Sequence, residues 1–175
     1  SRENYVNFDY NTFYDGDKEG IESNGKIIIQ ALYDHVKVLS INEGIFVVKN
    51  NNQEAILNLK NENIIEWYES INVLNENFEN RKADSYIFAA KKENDIYGIV
   101  NEENKTILPF EYQKIIEFDK KNNTVLIAKY SDSTELVGLF NFSKNIILTP
   151  KYHTIKVTKF ENIYQVSVNR KSKYR

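Results

Sequence analysis

The chain is 175 residues long, 41% hydrophobic and 27% charged, values that suit a folded domain with a substantial core and exclude disorder. A net charge of −2 offers no electrostatic case for nucleic acid or an anionic membrane surface. Without cysteine there is no disulfide, thiolate metal site or cysteine nucleophile, and no apolar run approaches the roughly 20 residues of a membrane span.

In chain order, the first predicted element is an aromatic segment, 1–19, whose Tyr5, Phe8, Tyr10, Phe13 and Tyr14 read as strand material of a cap or partial repeat. Segment 20–54 opens on Gly20-Ile21 and passes through Asn24-Gly25, the strongest short hairpin signal in the chain, to Ile27-Ile28-Ile29, Tyr33 and Val36. Segment 55–96 repeats the pattern as Ala55-Ile56-Leu57-Asn58, Ile64-Ile65, Trp67-Tyr68 and Ile71. Its residues 72–81 carry the best helical spacing in the chain, but four asparagines limit it to a turn or two. Segment 97–136 predicts four strands at 97–101, 105–108, 113–118 and 124–129, with Pro109 closing the second. Segment 137–175 matches it through Val137-Gly138-Leu139-Phe140-Asn141, Ile146 to Leu148, Pro150 and Tyr152. A fourth strand is expected at 163–169, and Lys171 to Tyr174 lead toward a further copy.

The repetition is the governing signal. Tyrosines 33, 68, 112 and 152 are separated by 35, 44 and 40 residues, and length varies only in polar stretches. Each copy is a supersecondary unit that buries its apolar face against its neighbours. We therefore expect an all-β chain of about four tandem antiparallel β-hairpin repeats, arranged as an open twisted array or a small propeller-like body. The abundance of Asn, Lys and Ile reads as coding bias of an AT-rich genome. The absence of methionine leads us to expect that an upstream segment has been removed.

The pattern resembles the bacterial WG-repeat family, whose unit combines a Trp-Gly-like pair, a Gly-Lys turn, a Val-Ile-Pro strand and a Tyr-Asp element. Tyr97-Gly98, Val137-Gly138, Asn24-Gly25-Lys26, Ile107 to Pro109 and Tyr33-Asp34 carry the resemblance. The copies are degenerate: Glu19, Glu54, Tyr97 and Val137 stand at the tryptophan position, and Ala55 replaces one glycine. The resemblance implies an all-β repeat protein, at the bacterial envelope or secreted, with no common catalytic residues.

No chemistry-bearing constellation emerges. His35 and His153 lie two and one positions after repeat tyrosines, hence on opposite strand faces, and surface histidines are the plainer reading. Glu66, Glu69 and Glu111 flank aromatics but offer no distinctive carboxylate pair for a hydrolase. Asp15, Asp17 and Glu19 around Gly16 fall short of a calcium loop, whose twelfth position here is Lys26. We expect no catalytic residue, no metal site and no cofactor. The remaining signal is aromatic: Trp67, Tyr68, Phe110 and Tyr164 are the candidate binding residues. The leading expectation is a non-enzymatic binding or scaffolding module for a protein partner. A carbohydrate-binding surface module is the second, with a glycan as ligand, and a hydrolase built across repeats the third.

Overall fold

A computed structural model of the chain describes residues 9–61, 66–76 and 85–168. The described residues are all-β, without an α-helix, and their strands follow one another as antiparallel meanders. The strands are β1 (Asn11–Asp15), β2 (Lys18–Ser23), β3 (Lys26–Tyr33), β4 (His35–Ser40), β5 (Ile45–Asn50), β6 (Gln53–Asn58), β7 (Trp67–Tyr68), β8 (Ser70–Val73) and β9 (Ile87–Lys92). A 3-10 turn at Glu93–Asp95 leads to β10 (Ile96–Asn101), β11 (Thr106–Tyr112), β12 (Lys114–Asp119), β13 (Thr124–Ser131), β14 (Thr134–Asn141), β15 (Ile146–Tyr152), β16 (Thr154–Val157) and β17 (Tyr164–Ser167). They form five sheets, β1-β2-β3, β4-β5-β6-β7, β8-β9-β10-β11, β12-β13-β14-β15 and β16-β17, none closed into a barrel.

The sheets and the sequence repeats are out of phase. Each sequence copy gives its first two strands to one sheet and its last two to the next. Thus β10 and β11 complete one sheet, whereas β12 and β13 begin another. The corner lies just after the repeat tyrosine. There the N–H groups of Asp34, Gln113 and His153 donate to the carbonyls of Lys49, Ala128 and Ser167, at 2.8, 3.0 and 2.7 Å. The side chains of Asp34 and Gln113 accept in turn from the N–H groups of Asn51 and Tyr130.

Strand register recurs at corresponding positions of the copies. Tyrosines 33, 68, 112 and 152 pair with Glu19, Glu54, Tyr97 and Val137, the four residues at the family's tryptophan position. In three copies the next registered pairs are Ile21 with Ile29, Ile99 with Leu108, and Leu139 with Leu148. Two residues on one strand therefore oppose four on its partner, a wide bulge. The bulged strand crosses directly over the glycine. A Cβ on Gly20, Gly98 or Gly138 would lie 2.6, 2.9 or 2.1 Å from the carbonyl oxygen of Ile29, Leu108 or Leu148. Where Ala55 replaces glycine, the pairing runs on without a skip, Glu54 with Tyr68 and Ala55 with Trp67.

Several expectations need correction or extension. Pro109 and Pro150 do not close their strands but lie inside β11 and β15, in the bulge, where a missing N–H costs no ladder bond. The region expected to carry a helical turn opens as strand β8, and residues 77–84 lie outside the described residues. So do Tyr5, Phe8 and the start of a further copy after Val168.

The chain divides into two compact units, the first running to Ile71 and including Glu102–Asn104, the second taking Asn72–Asn101 and the residues from Lys105 on. In the first, Ile21 and Ile29 of one sheet pack against Val36, Phe46, Val48 and Ala55 of the next, flanked by Leu57 and Leu59. In the second, Ile99, Leu108 and Tyr112 pack against Ile115, Val125, Ile127 and Phe140, flanked by Phe142. A further layer joins Ala128, Val137 and Leu139 to Ile155, with Leu148 and Tyr164 at its margin. Each fully buried side chain of this size contributes about 1.5–3 kcal/mol.

Candidate functional site

The four aromatic candidates occupy different settings. Trp67 and Tyr68 are neighbours on β7 in the first unit, with Trp67 36% exposed and Tyr68 only 2%. Burial, reinforced by Glu66, pushes the Tyr68 phenol well above its ordinary pKa. Its ring is core, so partners would meet Trp67 instead. Phe110 and Tyr164 lie in different sheets of the second unit. Phe110 is half-buried over Gly98 with the Lys92 ammonium 4.1 Å from its ring centroid, a cation–π contact.

Tyr164 lines a cleft of about 270 Å³ in the second unit, with Leu139, Ile146 and Leu148 as its apolar wall. Thr124, Asn141, Lys144 and Asn162 complete the lining. The walls come from successive elements: β14 and β15 supply the leucines and isoleucine, and β17 supplies the tyrosine. The Tyr164 hydroxyl donates to Asp119 Oδ2 at 2.9 Å, and its ring tilts against Phe118 with centroids 6.1 Å apart. Burial raises its pKa, with the Asp119 carboxylate adding to the shift. The ring is thereby fixed as a wall of the cleft.

Asn141, in the lining, and Asp119, behind Tyr164, are engaged with the protein itself. Asn141 Oδ1 accepts from the N–H groups of Ser143 and Lys144, and its Nδ2 donates to the Asn122 carbonyl. Asp119 accepts from the backbone N–H and side-chain amide of Asn122 as well as from Tyr164. The rest of the lining is mainly apolar, with the Lys144 and Asn162 side chains beside it. Ile146 in its lining is exposed, as are Ile147, Val157, Ile163 and Val166 elsewhere on the last described strands and the turn before β17.

The acidic residues near the N-terminus serve structure. Gly16, at φ 63°, makes the tight turn between β1 and β2. The Glu19 carboxylate accepts from the Val36 N–H at 3.0 Å and meets His35 Nδ1 at 2.9 Å. Asp34 pairs with Lys18, whose ammonium holds its carboxyl below the usual range. Among the described residues no three His, Cys, Asp or Glu side chains gather as metal ligands, and no helix is long and apolar enough to cross a membrane.

The residues that sequence reasoning missed are Leu139, Ile146, Leu148 and Val166. Part of their signal was present: Leu139, Leu148 and Val166 sit at repeat positions that are core in other copies, whereas the counterparts of Ile146, Ile27 and Thr106, are exposed.

Residues 21–53 and 97–131 match the family model of the WG-containing repeat. Each matched segment begins on the first strand of a copy and runs through the tyrosine corner into the following sheet. Neither a curated protein nor a solved structure matches the chain.

Proposed function

We propose that this chain of WG-containing repeats is a non-catalytic module that binds a protein partner through apolar surface on its last strands. The observation that carries this reading is the cleft walled by Leu139, Ile146, Leu148 and Tyr164, in which Ile146 is exposed, on strands that also expose Val157 and Val166. Exposed apolar surface in one place is a binding signature, since covering it gains about 25 cal/mol per Å². A protein segment suits the cleft better than a sugar does. Four of the lining residues are apolar or aromatic, and Asn141 spends its hydrogen-bonding groups internally, which leaves the Lys144 and Asn162 side chains as the polar groups a sugar could use.

Selection of displayed random peptides on the purified protein tests this. Peptides rich in apolar residues should enrich, and Ile146→Asp should abolish the enrichment. Equal enrichment on wild type and variant, or capture of glycans and no peptides, would overturn it.

A further inference from the structure

We infer that two copies of this chain pair through the outer edges of their β3 strands, antiparallel and about a two-fold axis. The open edge is a property of the repeat. β3, β7, β11 and β15 each end a sheet and pair on one side only among the described residues. β7 and β11 stay open although other copies precede and follow them in the chain.

An open strand edge is a template for another strand, and proteins blunt such edges with proline, charge or shortness. β7 spans only two residues. β11 carries Pro109 and Glu111 within its bulge, and β15 carries Pro150 and Lys151 within its own. At those three positions β3 has Gln30, Ala31 and Leu32, which keep every N–H and bring no charge. From Ile27 to Tyr33 it holds no charged residue, proline or glycine. β3 is the edge left without a guard.

The strand complements itself. Ile29 pairs with Ile21 and packs in the core, whereas Ile27 pairs with Glu22, the next residue, and so lies on the other face. Leu32 adjoins Tyr33, which packs against the same core, and therefore shares the outer face with Ile27. Both are exposed, at 57% and 59%. A two-fold axis between Ile29 and Gln30 sets Ile27 of each copy opposite Leu32 of the other, an apolar cross-strand pair made twice. Charge favours the same orientation. Lys26 begins the strand, whereas Glu19 and Asp34, with Asp17 nearby, outnumber Lys18 at its end. Antiparallel pairing brings these unlike ends together, and parallel pairing would bring like ends together.

Sedimentation of the full chain over a concentration series tests this. A monomer–dimer equilibrium with a micromolar dissociation constant is expected, because an eight-residue edge offers less than the roughly 1,200 Å² of a standard interface. Hydrogen exchange at 27–32 should slow as the chain is concentrated. Gln30→Pro supplies the residue that β11 already holds at this place, so the monomer should keep its thermal midpoint while dimerisation weakens about tenfold or more. Leu32→Lys, which matches Lys151, should do the same. A chain that stays monomeric at about 1 mM would overturn the inference. So would a dimer that both variants leave intact. A dimer lost in Ile146→Asp, with exchange at 27–32 unchanged, would overturn it in favour of association through the cleft.

Discussion

Gly138 and Gly25 are both glycines, for opposite reasons. At Gly138 a Cβ would meet the Leu148 carbonyl at 2.1 Å, so the bulged strand must move to admit it. We expect Gly138→Ala to cost at least about 2 kcal/mol. Gly25 faces open space but holds φ 74°, so Gly25→Ala should cost only about 1 kcal/mol of left-handed strain. Urea denaturation of the two variants separates the mechanisms; equal losses would refute the distinction. Asparagine has a structural task as well. Asn24, Asn51, Asn52, Asn94, Asn104, Asn123, Asn145 and Asn162 all take positive φ, so the asparagine content that reads as coding bias also serves the turns. Others close hairpins: the side-chain oxygens of Asn58, Asn101 and Asn141 accept from the N–H groups of Lys60, Lys105 and Lys144. Asn141→Ala should lower stability by about 1 kcal/mol, read as a fall in denaturation midpoint, because the N–H groups of Ser143 and Lys144 and the Asn122 carbonyl lose their partner. The glycine spacing was legible in sequence because a steric demand leaves no choice of residue. The burial of Tyr68 beside exposed Trp67 was not, since adjacent strand residues face opposite ways and sequence does not reveal which side is covered.

At the level of strands and sheets, the hairpins were readable from short apolar runs bounded by Asn, Asp and Gly. What periodicity could not reveal is where one sheet ends. A forty-residue pattern looks the same whichever strand is counted first, so the division of each copy between two sheets was hidden until the pairing was seen. The hidden phase is what separates Ile127 from Val166, which share a repeat position. Ile127→Lys places a charge in a fully buried site and should unfold the second unit or cost several kcal/mol. Val166→Lys should shift the thermal midpoint little, because the side chain already meets water. Paired melts check this, and a comparable loss for both would mean that β17 is covered in the free protein.

For the molecule as a whole, a small net charge leaves specific groups to set the pH response. Burial raises the pKa of Tyr33, Tyr68, Tyr112 and Tyr164 above the ordinary value of 10.0. A raised pKa means that the folded state keeps the proton more tightly than the unfolded chain. Their stabilisation is therefore intact below about pH 10 and lost progressively above it. The melting temperature should fall steeply from that point, and Tyr68→Phe should flatten the fall; an unchanged slope would count against burial as the cause. The all-β class was open to sequence reasoning because it is written in every copy, whereas the candidate cleft depends on which copy's strands meet Tyr164. The offset between copy and sheet also bears on how such a gene changes. Whichever strand begins an inserted period, the two new partial layers fuse with their neighbours into complete ones. Duplication or deletion of about forty codons can thus lengthen or shorten the protein while every internal seam still closes.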